Sequence, residues 1–188
     1  MTSVLREARN TNNVSISEIP APARLAPYSY ALGAEVRADE TFLQASDETI
    51  DELATGRIVV LYDPSSPEEW EGQFRIVSYI RAELEHELGN ETMLGHVAWS
   101  WLEEALESND CEVIAAGGTT TRVLSDSFGT LASRPATIDL ELRASWTPVI
   151  AEPDLIGNHF EAWIDLLSTV AGLPPLPEGV SALPGRRR

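Results

Sequence analysis

The ten residues from Ile138 to Thr147, IDLELRASWT, restrict the fold of this chain more than any other stretch. Ile138, Leu140, Leu142, Ala144 and Trp146 take alternate positions, and Asp139, Glu141, Arg143, Ser145 and Thr147 fill the places between them. A strand with this period of two has one apolar and one wet face, so the sheet that holds it is covered on one side. Pro148 ends the run, because proline cannot donate to the ladder.

Three more segments read the same way. Tyr28 to Val36 alternates through Tyr30, Leu32 and Ala34, while Arg57 to Asp63 is apolar on both faces, as a central strand would be. Gln73 to Leu84 alternates again through Phe74, Ile76, Ile80 and Ala82. Asp63-Pro64-Ser65-Ser66-Pro67 carries turn residues, so these last two runs are expected to pair antiparallel. Glu112 to Ala116 and Thr119 to Ser125 are β-rich pieces around Gly117-Gly118, either a hairpin or one long strand with a bulge.

Helical periodicity appears twice. One helix is expected from Glu91 to Ser108, stopped by Asn109-Asp110. A second is expected to start at a capping box formed by Asn158 and Glu161. It carries a stripe of Phe160, Trp163, Ile164, Leu167, Val170 and Ala171 and ends at Gly172 and Pro174. Strands, helix, strands, helix, without strand-helix alternation, give an α+β class with a mostly antiparallel sheet and helices packed on one face. Residues 21–172 form the single domain. Residues 1–20 are expected to be poorly ordered or to hold a short helix, and 173–188 to be an extended, proline-rich tail ending in three arginines. The span from Ala38 to Thr55 reads as a loop with a helical turn near its end.

Charge narrows the choice of partners. Thirty acidic residues oppose thirteen basic ones, all arginine, for a net charge of −17. Such a surface repels phosphate backbones and anionic bilayers, so neither direct nucleic-acid binding nor membrane binding is expected. No stretch reaches the ~20 apolar residues of a membrane helix, and the first residues do not look like a signal peptide; a cytoplasmic location is expected.

Motifs for catalysis or metal binding are thin. His86-Glu87 opens like a zinc-protease HExxH, but Asn90 stands where the second histidine belongs. His96 and His159 add no ligand spacing, so no metal and no cofactor is expected. Cys111 has no nearby cation and reads as a small buried side chain instead of a nucleophile. Gly117 to Arg122, GGTTTR, lacks the lysine of a phosphate-binding loop and does not open a helix. Arg75, Arg81, Arg143 and Glu141 lie on polar strand faces and form a candidate small-ligand site.

In the first helix, GHVAWSWLEEALE, two tryptophans stand two places apart. Helical phase gathers Leu94, Val97, Ala98, Trp101, Leu102 and Ala105 on an arc centred near Trp101, making Trp101 the core anchor. Trp99 falls at the rim beside His96 and Glu103. These three, with Arg143 on the open sheet face, form the candidate partner surface.

The blocks EIPAPARLAPYSYAL (Glu18 to Leu32), ELATGRIVVLYDP (Glu52 to Pro64), GQFRIVSYIRAELEHEL (Gly72 to Leu88), VAWSWLEEAL (Val97 to Leu106), GGTTTR (Gly117 to Arg122) and LELRASWTP (Leu140 to Pro148) together resemble the actinobacterial domain of unknown function 3000. That resemblance covers nearly the whole chain and implies no activity. The element order also resembles the secretion-chaperone-like fold, whose members are often acidic, dimeric and non-catalytic. The function expected from residues and resemblance together is a homodimeric, non-catalytic adaptor or chaperone-like module for a protein or peptide. The alternative is an enzyme or ligand-binding protein built on the arginine and carboxylate cluster.

Overall fold

A computed structural model describes residues 13–38, 52–85, 93–151 and 155–172. Six strands form one sheet: β1 (Val14–Glu18), β2 (Tyr28–Arg37), β3 (Glu52–Tyr62), β4 (Phe74–Glu85), β5 (Val113–Ser125) and β6 (Thr137–Pro148). Their order across the sheet is β1-β2-β3-β4-β6-β5, and every neighbouring pair is antiparallel. The first four strands make a meander. Helix α1 (Leu94–Ser108) then carries the chain past one strand position to β5, and β6 returns to fill the gap. Helix α2 (Ile156–Val170) packs beside α1 on the same face.

Alternation decides which face is covered. Ile58 and Val60 of β3, Ile76 and Ile80 of β4, and Leu140, Leu142 and Trp146 of β6 are buried with the apolar sides of both helices. The intervening residues of β4 and β6 form the uncovered face. Gly56 serves this packing directly, because a Cβ there would lie 2.8 Å from the Trp163 ring of α2. The missing side chain lets a large buried ring lie against the sheet.

Several expectations change. Val14–Glu18, inside the segment expected to be poorly ordered or helical, pairs with β2 as a strand; Val14 is buried, and its pairing with Val36 supplies what local sequence does not. Strand β3 begins at Glu52, so the end of the expected loop and helical turn is ladder instead; residues 39–51 lie outside the described residues, as do residues 1–12, His86, Asn90 and the 173–188 tail. Gly117-Gly118 lies within one long strand, with the register shift between Ile114 and Gly117, so the bulge alternative holds and the hairpin does not. Helix α2 starts at Ile156, two residues before the expected cap. Asn158 is therefore inside the first turn, and burying Ile156 in the core outweighs a cap at that position.

The arc on α1 is also corrected. Its buried residues are Leu94, Ala98, Leu102, Ala105 and Leu106, while Trp101 and Trp99 are both half-buried and Val97 is exposed. At about 100° per residue, each tryptophan lies roughly 80° from the centre of that arc, on opposite sides. Trp101 is a flank of the stripe and not its centre, because small alanines take the closest approach.

Candidate functional site

The candidate site is the seam between α1 and the edge strand β5. Two glycines draw these elements together. A Cβ on Gly95 of α1 would lie 2.6 Å from the Thr120 hydroxyl oxygen, and one on Gly118 of β5 would lie 2.7 Å from the Trp99 ring and against the Arg143 carbonyl. Trp99 thus lies on a bare patch of strand. Its indole N–H donates to a Glu103 carboxylate oxygen at 2.8 Å, which fixes the ring one turn from its acceptor.

Trp99 divides the seam into two crevices. The first, about 260 Å³, has an apolar floor of Leu102, Leu106, Val113 and Trp146, with Glu103 and Glu107 in its lining. The second, about 350 Å³, is more polar and is lined by His96, Thr119, Thr120 and Arg122. One side of the ring therefore offers carboxylates over an apolar base, and the other offers hydroxyls and an arginine.

Beneath the first crevice, the Trp146 N–H donates to Nδ1 of His159 at 3.2 Å. His159 is 2% exposed, and burial pushes its pKa down to about 4. It is a neutral acceptor, with its own proton on the other ring nitrogen. Cys111 also lines this crevice. Burial, with a contribution from Asp110, pushes its thiol up to about 11, so it stays protonated and unreactive at neutral pH.

The opposite face of the sheet is self-paired. Arg81 meets Asp139 at 2.7 Å and Arg143 meets Glu141 at 2.6 Å. The Tyr79 hydroxyl donates to Glu141 at 3.1 Å, and the Arg143 guanidinium carbon lies 5.3 Å from the centre of the Tyr79 ring. Burial first, and then Glu141, raises the Tyr79 pKa. Arg75 stands apart, six residues or roughly 20 Å of strand from Arg81. It donates to the Ala115 carbonyl at 2.8 Å, to Thr147 Oγ1 at 3.2 Å and to Ser145 Oγ at 2.7 Å. Thr147 in turn donates to the Trp70 carbonyl. Arg75 clamps the bulge of β5 to β6 and to the turn after β3.

The structure therefore brings Trp99, His96 and Glu103 together and puts the Arg143 side chain on the other face. It gathers Arg81, Arg143 and Glu141 around Tyr79 and leaves Arg75 at a distance. Among the described residues no three histidine, cysteine or carboxylate side chains converge as metal ligands, and no helix is long and apolar enough to cross a membrane. Sequence reasoning missed two features of this region. The position of β5 at the sheet edge is set by strand order alone, and the Trp146–His159 pair joins residues on different elements. The one signal pointing to β5 is compositional: its thirteen residues hold one arginine and no carboxylate in a strongly acidic chain.

The model of the family described as a protein of unknown function, DUF3000, matches residues 1–181, and the chain belongs to that family. No curated protein and no solved structure matches it.

Proposed function

We propose that this DUF3000-family chain is a non-catalytic protein-recognition module that accepts an extended strand of its partner along the outer edge of β5. The observation that carries this reading is the edge itself. Strand β5 pairs only with β6 among the described residues, and from Ala116 to Ser125 every residue except half-buried Thr120 is exposed. Natural edge strands are blunted by lysine, proline, charges or bulges; β5 has no lysine, no proline and no carboxylate, its bulge lies before Gly117, and its one charge is Arg122. Val123, Leu124, Phe128 and Leu131 add exposed apolar surface at its far end. Strand addition supplies main-chain hydrogen bonds, while pockets beside the strand read alternate side chains. The Trp99 crevices are such pockets.

A ligand site at Arg81, Arg143 and Glu141 has weaker support, since each cation there already meets a carboxylate and solvated pairs of this kind contribute little. Affinity capture from a cell extract tests the proposal, with Thr121→Lys as the comparison. Thr121 is exposed, and a lysine there blunts the edge as natural strands do. A partner held by the unsubstituted chain should be absent from the Thr121→Lys capture, while the thermal melt of the variant stays within ~0.5 kcal/mol of the parent. Equal capture by both chains would remove β5 from the binding surface.

A further inference from the structure

We infer that the strand accepted by β5 is β5 of a second copy of this chain, paired antiparallel about a two-fold axis through Thr119. This rests on the proposal that the β5 edge is a recognition surface, and names its occupant. Three observations lead to it.

The first is charge. Two chains of net charge −17 repel wherever their acidic surfaces meet, but β5 has no carboxylate in its thirteen residues, so the edges approach with the least repulsion.

The second is register. Outward-facing main-chain groups alternate along a strand, and antiparallel partners must present theirs together. Two identical strands satisfy this only when paired residue numbers differ by an even amount, so the axis passes through a residue and not between two. An axis through Thr119 sets Thr120 beside Gly118 of the partner subunit, a branched side chain next to a bare position. It also sets Arg122 opposite Ala116 of the partner subunit.

The third is the chemistry at that position. Ala116 lines the first crevice together with Glu103, Glu107 and Trp99. Ala116 is in the bulge and Arg122 is on the regular strand beyond it, yet both face the helices, since Ala116 lines the first crevice and Arg122 the second; a two-fold axis normal to the sheet keeps that side common to both copies. The only charge on β5 thus reaches the carboxylate-lined crevice of the other copy, twice over, as an isologous interface requires. An arginine suits it: the stem lies on the apolar floor and the head meets carboxylate and indole. Arg122 is engaged within its own subunit, and its five N–H donors serve more than one acceptor.

Light scattering after size exclusion tests this on the full chain between about 1 and 100 µM, a range suited to a small interface. The unsubstituted protein should reach the two-chain mass. Arg122→Glu and Glu107→Arg should each weaken the dimer about tenfold or more, as reversing one partner of an enclosed charge pair does. The double variant, Arg122→Glu with Glu107→Arg, should restore it. Hydrogen exchange should also show the outward-pointing alternate amides between 117 and 121 of the unsubstituted chain becoming protected as concentration rises, a readout that needs no variant to fold. A one-chain mass throughout the range overturns the inference, as does a dimer indifferent to Arg122→Glu. Loss in both single variants without rescue in the double overturns the placement of Arg122. If the protein is monomeric and still loses a captured partner on Thr121→Lys, the recognition surface stands and only its occupant is wrong.

Discussion

Helices α1 and α2 have fifteen residues each and lie side by side on one sheet, yet they do different work. Nine residues of α2 are buried, including Phe160, Trp163 and Leu167; on α1 the number is five, two of them alanine. Each helix lays a tryptophan on a glycine of the sheet, Trp163 on Gly56 and Trp99 on Gly118. Gly56 is on an interior strand and Trp163 is 1% exposed, whereas Gly118 is on the edge and Trp99 is half-buried. The same contact is core in one place and the wall of an open crevice in the other. Strand order makes the difference, since a ring over β3 has neighbours on every side and a ring over β5 has solvent on one.

The contrast can be broken most directly at Trp163. Trp163→Ala should cost about 3–5 kcal/mol in a urea melt, because the enclosed cavity cannot collapse. A loss below 1 kcal/mol would put α2 on the same footing as α1.

Acid should act next. The His159 pKa of about 4 in the folded chain is below its ordinary 6.5. Between these values the unfolded chain binds more protons, so the contribution is complete above about pH 6.5 and is lost as pH falls toward 4. The shift corresponds to roughly 3 kcal/mol. His159→Gln, which keeps an acceptor for the Trp146 N–H, should flatten the stability profile between pH 6.5 and 4 relative to the parent; identical slopes would mean the imidazole is not held neutral.

Gly56→Ala should cost about 2 kcal/mol, since the new methyl meets a ring with nowhere to move. A neutral result in a thermal melt would show that α2 can slide on the sheet. The smallest effects belong to α1. Trp99→Ala and Trp101→Ala should each cost about 1–2 kcal/mol, as half-buried rings on opposite flanks of one stripe. Equality of these two, well below Trp163→Ala, sharpens the comparison, and a Trp99→Ala loss as large as that of Trp163→Ala ends it.

Much of the architecture was legible locally. The alternation from Ile138 to Thr147 identifies both β6 and its covered face, and the apolar run ending at Asp63 identifies the interior strand β3. Short β1 was not legible, because five residues after an asparagine-rich stretch become a strand only through Val36 and its neighbours. Nor was the centre of the α1 arc, where tryptophans dominate any hydrophobic sum while Ala98 and Ala105 make the close approach. Helical spacing set His96 and Glu103 about one turn to either side of Trp99, which is hydrogen-bonded to Glu103 and shares a crevice with His96. It could not reveal that β5 is an edge, because edge and centre differ in what lies beside a strand and not in the strand's own sequence.

The Arg75 clamp has a consequence for assembly. By holding the Ala115 carbonyl, it keeps Ala115 in a left-handed conformation and maintains the bulge, so regular pairing with β6 resumes only at Gly117. Bulges bend and twist an edge away from further pairing. Among the described residues, the other end of the sheet offers the five residues of β1. For the pairing inferred above, one guanidinium on the far face therefore measures out how long a ladder β5 can lend, and the short second edge among the described residues favours a closed pair over a fibre.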